Sequence, residues 1–281
     1  MGSIINGRGS VGIRKSTVIS QIDPDVQAFI TAANITDTTQ KSAITILVSS
    51  LKSYGVWTKM KAIYPFVGGT PSSHKFNLKD PRDDNGAYRL TFGVGLTHSQ
   101  NGINPNGSGY ANTYLNASSV LTTANNHISF YSRTNPTPIN SVEMGASDTF
   151  GYYSPNMRIR LDGFYGYTNT LMYTSGNINN YAYTLSTNTD ARGHFIGNIL
   201  STTNRKTYKN GNVSGVNTSN ISQSLYNGFI YIGALNVNNS PAAYTNRECA
   251  FASIGDGLTD TEASNFYTAV QAYQTSLSRN V

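Results

Sequence analysis

The sequence predicts a mainly β protein, an antiparallel sandwich or barrel with a small helical section near its start and a helix at its end. Only 12% of the residues are charged, while glycine and short neutral polar residues are plentiful. This composition suits strands and turns. Between Tyr64 and Leu258, short alternating runs are separated by turn residues, whereas helical spacing of apolar residues occurs before and after that region.

The first 22 residues show no helical periodicity and carry basic residues among glycines. The segment 7–12 matches the dinucleotide fingerprint G-x-G-x-x-G, but no sufficient strand precedes it and no helix start follows it, so nucleotide binding is not predicted. We interpret residues 1–22 as an arm that becomes ordered when it docks on a partner, with a frayed terminus as the alternative. The candidate anchoring residues are Arg8, Gly9, Val11, Ile13, Arg14 and Lys15.

Residues 23–63 are predicted to form a helical neck. Asp23 is a good N-cap and Pro24 suits the first helical position. A second helix is predicted to start at Thr36 or Asp37 and to end near Gly55. Apolar residues recur at helical spacing in both segments: Val26, Phe29, Ile30 and Ala33, then Ile44, Leu47, Val48 and Leu51.

Strands are predicted throughout the region that follows, each bounded by Gly, Pro or Asn turns. The clearest are residues 127–133, 158–166, 181–187, 194–200, 206–213, 229–235 and 249–255. The Gly-Gly-Thr-Pro sequence at 68–71 is predicted to turn the chain into a further strand at 75–78. Many short strands at this spacing favour an antiparallel architecture over a parallel sheet with crossover helices.

The chain ends in a predicted helix whose start is a capping box formed by Thr259 and Glu262. Its apolar residues form a narrow stripe, which fits packing against the domain or against a second copy of the chain. The stripe consists of Ala263, Phe266, Val270, Tyr273 and Leu277.

Charge and composition argue against several classes of function. The net charge of +6 comes from scattered Lys and Arg residues without a basic block, so we expect no nucleic-acid partner. The single cysteine, Cys249, rules out an internal disulfide framework. No apolar leader and no membrane-length segment is seen, so we expect synthesis in the cytoplasm and no membrane contact.

Several polar clusters could carry chemistry. Asp80, Asp83 and Asp84 bring oxygen ligands together, but their spacing does not match an EF-hand, and a polar turn explains them equally. We therefore expect no cofactor, with calcium as the alternative. Ser73 and His74 are neighbours in sequence without a third catalytic group, and the four histidines lie at no zinc-ligand spacing.

Glycoside hydrolysis needs two carboxylates on opposite sides of the scissile bond. The three glutamates, Glu143, Glu248 and Glu262, are far apart in sequence, and Glu262 is already assigned to a helix cap. Asp148 follows Glu143 without clear strand alternation. We therefore predict that the protein is not an enzyme.

The 19 tyrosines provide flat amphipathic surface. Tyr165 and Tyr167 are predicted to share one face of a strand, as are Tyr181 and Tyr183. Such pairs suit either packing between sheets or subunits, or stacking on sugars.

Three segments carry a resemblance to a known family. Residues 60–83, together with the helical stretch before them, resemble virion appendages of tailed phages, such as head fibres and tail-associated proteins. The KTYKNG turn at 206–211 and the ending at 251–277 are similar to concanavalin A-like, laminin G-type jelly rolls. The resemblance implies an arm at 1–22, a neck at 23–63 and a jelly roll at 64–281.

The same resemblance implies a role for the protein. We expect a structural component of the virion, a homotrimer anchored on capsid or tail by its arm, with a distal jelly roll that contacts host-surface glycans. A tail receptor-binding lectin and a polysaccharide depolymerase are the alternatives.

Overall fold

The computed structural model describes residues 1–2, 22–136, 141–148, 156–157, 169–172, 184–220 and 224–281. Five α-helices are present in this part of the chain: α1 Pro24–Ala32, α2 Thr38–Ser53, α3 Pro71–His74, α4 Ala117–Val120 and α5 Asp260–Ser276. Two short 3₁₀ helices span Trp57–Lys59 and Asn85–Ala87.

The described strands number seventeen, and most are short. They are β1 Met60–Tyr64, β2 Thr91–Phe92, β3 Thr97–Ser99, β4 Gly102–Asn104, β5 Ala111–Asn116, β6 Asn126–Ser132, β7 Met144–Ser147, β8 Asn156–Met157, β9 Asn169–Met172, β10 Thr184–Thr187, β11 Gly193–Ser201, β12 Asn204–Lys209, β13 Asn212–Asn217, β14 Phe229–Ile232, β15 Leu235–Val237, β16 Ser240–Ala242 and β17 Cys249–Gly255.

The strands form two large sheets and a separate two-stranded pair, β9 with β10. The first sheet runs β13-β12-β11-β6-β17-β4-β3, and β1 pairs with β17 beside β4. The second runs β16-β15-β7-β14-β5-β2, and β8 pairs with β7. All pairings are antiparallel except that of β15 with β7, which is parallel.

Two hydrophobic clusters show how the layers are stacked. One lies between the two large sheets and contains Leu115 and Ile230 of the second sheet with Phe130 and Ile254 of the first. The other lies on the outer face of the first sheet, where α1, α2 and α5 cover residues such as Phe251. The fold therefore has three layers: helices, first sheet and second sheet.

The helix starts follow the predicted local signals. The Asp23 carboxylate accepts a hydrogen bond from the backbone N–H of Asp25 at 3.0 Å, and Asp37 accepts one from Gln40 at 2.8 Å. At α5, Thr259 and Glu262 form the predicted reciprocal capping box. Each cap satisfies backbone donors that have no partner within the helix.

The predicted fold class is confirmed: a mainly β, antiparallel sandwich of the concanavalin A-like jelly-roll class, with helices near its start and a C-terminal helix. The helices between residues 23 and 63 do not stand apart as a neck, because their apolar stripes share one core with α5 and the first sheet. The last of these residues, from Met60, already form a strand that pairs with β17.

The strand predicted at 75–78 is wrong. Its first residue follows the single helical turn of α3, where Thr70 and Ser73 form a capping box. The predicted strand at 158–166 lies outside the described residues, and of the one at 181–187 the described part is β10. Within the described part of the chain, no helix has both the length and the apolar character needed to span a membrane.

Candidate functional site

The outer face of the second sheet exposes aromatic rings and amides. Along β5, alternate residues are buried between the sheets, while Asn112, Tyr114 and Asn116 are half-buried on the opposite side. On the neighbouring β14, Ile230 and Ile232 enter the core, so the residues that alternate with them face outward. We call this surface the aromatic face; its residues are Thr91, Tyr110, Asn112, Tyr114, Asn116, Phe229 and Tyr231.

The rings of the aromatic face form two contacting pairs across neighbouring strands. Tyr110 stacks on Tyr231, with ring centroids 4.7 Å apart and an angle of 29° between the planes. Tyr114 meets Phe229 edge to face at 5.5 Å. Tyr231 is only 5% exposed, whereas the other three rings are half-buried. Tyr231 is therefore the innermost of the four rings, and it supports the ring of Tyr110, which stacks on it.

A glycine allows Tyr110 to adopt this position. A Cβ atom at Gly93 would lie 2.3 Å from Cε1 of the Tyr110 ring. The backbone N–H of Gly93 also donates to the carbonyl oxygen of Tyr110 at 2.8 Å. Since a Cβ cannot approach an aromatic carbon so closely, the ring lies where it does only because residue 93 has no side chain.

The backbone of Tyr114 is strained. Its φ angle is +53°, in the left-handed region that non-glycine residues rarely adopt. The pairing of β5 with β14 is irregular here, because Phe229 faces Asn116 while Tyr231 faces Asn112. The side chain of Asn112 holds the local geometry by accepting a hydrogen bond from the Tyr114 N–H at 2.9 Å. Strain of this kind concentrates at functional sites and persists only when its surroundings impose it.

One end of the aromatic face leads into a cleft. Asn116 Nδ2 donates to Asn227 Oδ1 at 2.7 Å, and Ser118 Oγ donates to Asn116 Oδ1 at 3.1 Å. Ser118 is also part of the wall of the cleft, whose volume is about 340 Å³. The lining residues are Ser118, Leu121, Thr122, Thr123, Ser224 and Leu225. Amides and hydroxyls thus continue the polar part of the face into a concave surface.

The most buried phenol of the face, that of Tyr231, remains neutral under ordinary conditions. Burial raises the pKa of Tyr231 to about 12, and the neighbouring tyrosines, Tyr110 first among them, add to the effect. Thr91 Oγ1 donates to the Tyr114 hydroxyl at 3.2 Å. The face can therefore offer apolar ring surface together with uncharged donors and acceptors.

The three glutamates considered for catalysis are each engaged by a basic side chain. Glu143 and Arg247 form an ion pair at 2.6 Å in which both side chains are 0% exposed. Glu248 pairs with Arg133 at 2.6 Å. Glu262 caps α5 and pairs with Lys59 at 2.8 Å.

The aspartates considered for calcium are engaged in the same way. Asp80 pairs with Arg82, Asp83 pairs with Lys75 and Arg89, and Asp84 caps the second 3₁₀ helix. Over the described ranges, no group of three or more His, Cys, Asp or Glu side chains could hold a metal ion. The Asp80–Asp84 segment behaves as a polar turn in which the carboxylates neutralise nearby cations.

The sites predicted from the sequence fall on residues that the structure does not describe. The anchoring residues Arg8, Gly9, Val11, Ile13, Arg14 and Lys15, and the tyrosines Tyr165, Tyr167, Tyr181 and Tyr183, are all outside the described residues. The aromatic face was not predicted. Its signal in the sequence is an aromatic or amide residue at every second position, as in 112–116 and in 229–231.

Comparison with solved structures relates this fold to one domain of an arabinanase. The chain is similar to domain 4 of AbnA, a GH43 extracellular arabinanase from Geobacillus stearothermophilus, solved in complex with arabinotriose. The TM-score is 0.51 at 13% identity, over 74% of this chain and 98% of that domain. No protein family model matches the sequence, and no curated protein matches it.

Weaker likenesses extend to two sialidases. For the Trypanosoma rangeli sialidase the TM-score is 0.43 at 11% identity, over 81% of this chain and 38% of that one. For the NanB sialidase from Streptococcus pneumoniae it is 0.34 at 13% identity, over 50% and 23%. The chain thus spans well under half the length of either sialidase.

One prediction made from the sequence is corrected here. The chain was predicted not to be an enzyme, but the fold that it matches is that of a domain from an arabinanase, a glycoside hydrolase. That prediction is contradicted and is withdrawn. At 13% identity the likeness establishes the fold.

Proposed function

We propose that this protein binds a glycan on the aromatic face of its second sheet. The observation that carries the proposal is the pair of ring contacts beside amide side chains: Tyr110 on Tyr231, and Tyr114 against Phe229. Among the residues that the structure describes, the three long helices all pack on the first sheet, so they leave this face uncovered. An exposed aromatic surface with a few placed polar groups is typical of a binding site.

The chemistry of the face suits a sugar. Sugar rings have apolar C–H faces, which stack on aromatic rings, and hydroxyl edges, which exchange hydrogen bonds with amides and hydroxyls. Asn112, Asn116 and Asn227 supply the amides, and Ser118 begins the row of hydroxyls in the adjoining cleft. The arabinanase domain with this fold was solved with arabinotriose, which supports an oligosaccharide as the class of ligand.

We propose, on the resemblance noted above, that glycan binding serves attachment of a tailed-phage particle to its host. In this proposal residues 1–22 dock on the capsid or tail, the protein is a homotrimer, and the aromatic face meets the host surface. Replacement of Arg8, Arg14 and Lys15 together by Ala should lower the copy number of the protein on assembled particles, because each charge-assisted contact contributes roughly 1.5–3 kcal/mol. Equal incorporation, measured by quantitative gel, would refute the anchoring role.

Glycan binding is tested by two ring truncations and a matched control. Tyr110→Ala and Phe229→Ala should each weaken binding to an immobilised oligosaccharide panel that includes arabinotriose by about tenfold, the loss expected for about 1.4 kcal/mol. Tyr54→Ala, which removes a tyrosine that is 37% exposed on the helical side, should leave binding unchanged. If both truncated variants still bind the oligosaccharide, the site lies elsewhere on the protein. If the wild-type protein binds no oligosaccharide of the panel, the proposal is refuted.

A further inference from the structure

We infer that the ligand of the aromatic face is a neutral oligosaccharide, free of carboxylate, sulfate and phosphate; this inference rests on the proposed function. The side chains that β2, β5 and β14 direct outward are hydroxyls, amides and aromatic rings, and no Asp, Glu, Lys, Arg or His is among them. An acidic sugar would lose water around its anion on binding. It would therefore need a cation or several strong donors in return.

Among the described residues, the basic side chains nearest to these strands, Arg89 and Arg247, are already engaged in other contacts. Arg89, which precedes β2, donates to Asp83 at 3.2 Å and to Asn85 at 3.2 and 3.3 Å. Arg247, in the segment that follows the second sheet's last strand, is fully buried against Glu143. Turning either guanidinium toward an anion would first break these contacts, so neither is available to a ligand.

The polar groups that the face does offer match neutral hydroxyls. A sugar hydroxyl both donates and accepts a hydrogen bond, and a side-chain amide does the same. Asn116 and Asn227 already bond to each other at 2.7 Å, which fixes the direction of both amides at the entrance to the cleft. The raised pKa of Tyr231 keeps its phenol uncharged beneath the outer rings.

The arrangement of the rings also sets a minimum length for the ligand. Phe229 and Tyr231 are two residues apart on one strand, which corresponds to about 6.5 Å. Each belongs to a separate ring pair, and the hydroxyl-lined cleft lies beyond Asn116. A single sugar cannot use both pairs and the cleft at once, so affinity should rise from a monosaccharide to a trisaccharide.

The inference is tested by calorimetry on the full chain with matched neutral and acidic trisaccharides. The neutral set is arabinotriose, xylotriose and cellotriose; the acidic set is trigalacturonic acid and sialyllactose. We expect at least one neutral compound to bind about tenfold more tightly than either acidic one. Its affinity should be the same in about 50 mM and about 500 mM NaCl, because salt weakens interactions between charges and none is involved.

The outcomes separate this inference from the proposed function. If an acidic compound binds more tightly and Tyr114→Ala abolishes its binding, the face is a glycan site but the inference of a neutral ligand is overturned. If a neutral compound binds and neither Tyr110→Ala nor Tyr114→Ala weakens it, the glycan site is not on this face and the proposed function is overturned. If no compound of either set binds, the proposed function is likewise overturned.

Discussion

The rings of His74 and His98 share a hydrogen bond, with their Nδ1 atoms 3.0 Å apart. The backbone N–H of Gly69 donates to Nε2 of His74 at 3.2 Å, so the hydrogen of His74 lies on Nδ1 and is donated to His98. Burial, together with His98 and Arg279, lowers the pKa of His74 to about 3. The pair is therefore held in its neutral form.

Two further buried histidines make the protein sensitive to acid. Burial lowers the pKa of His127 to about 4 and that of His194 to about 3, from an ordinary value of 6.5. Below pH 6.5 the unfolded chain binds protons that the folded chain rejects, so stability falls as the pH falls. With His74, the free energy of unfolding should decrease by about 4 kcal/mol per pH unit between roughly pH 6 and pH 4. Urea unfolding at a series of pH values measures this slope.

His194→Phe should make the protein less sensitive to acid. The ring of His194 packs against Phe266 and Tyr131, and neither of its nitrogens has a hydrogen-bond partner within the described residues. Phenylalanine keeps the ring contacts and removes the titrating group, so the slope should fall by about 1.4 kcal/mol per pH unit. An unchanged slope would show that the pKa of His194 does not differ between the folded and the unfolded chain.

Gly93→Ala should weaken glycan binding without unfolding the protein. The added Cβ would overlap the Tyr110 ring and push it away from Tyr231, so the affinity should fall about as far as with Tyr110→Ala, roughly tenfold. Gly86→Ala is the matched control, because its Cβ would meet only Asp84 Oδ1, at 3.1 Å. Calorimetry with the ligand identified in the panel, and thermal unfolding of each variant, give the two readouts. If Gly93→Ala binds the ligand with wild-type affinity, the position of the Tyr110 ring does not determine glycan binding.

Substitutions of Glu143 and Arg247 should have non-additive effects on the free energy of unfolding, because the two side chains form one buried ion pair. Its side chains are fully buried, and the Glu143 carboxylate also accepts from Thr245 at 3.1 Å. Arg247→Met alone should cost about 3–5 kcal/mol, because it leaves a buried charge without its partner. The double variant with Glu143→Gln should cost less than the two single changes added together. Arg192→Met, which breaks an exposed pair with Asp190, should change the unfolding midpoint little.

Arg279→Met should detach the end of the chain from the sandwich. The guanidinium is buried and donates to backbone carbonyls in three segments that lie far apart in sequence: Pro65 and Phe66, Gln100, and Ala250. Loss of these bonds should cost about 3 kcal/mol, since buried carbonyls are left without donors. Arg279→Lys keeps the charge but cannot reach all four oxygens, so its loss should be intermediate. Equal stability of all three proteins in urea would contradict this role.

Local signals predicted helices α1, α2 and α5, whereas the aromatic face depends on pairing between distant strands. Thr259 and Glu262 are three residues apart, so their capping box can be read directly from the sequence. Tyr110 and Tyr231 are neighbours only because β5 pairs with β14, and no short-range pattern encodes that pairing. The strand predicted at 75–78 failed because the Thr70–Ser73 cap starts a helical turn just before it.

The two outer faces of the sandwich are under different constraints. The face covered by α1, α2 and α5 carries residues such as Phe251 and Phe266, where most changes would destabilise the core. The aromatic face lies on the opposite sheet and shares none of those contacts. Exchange of rings and amides on the aromatic face should therefore leave intact the core that the three helices share with the first sheet.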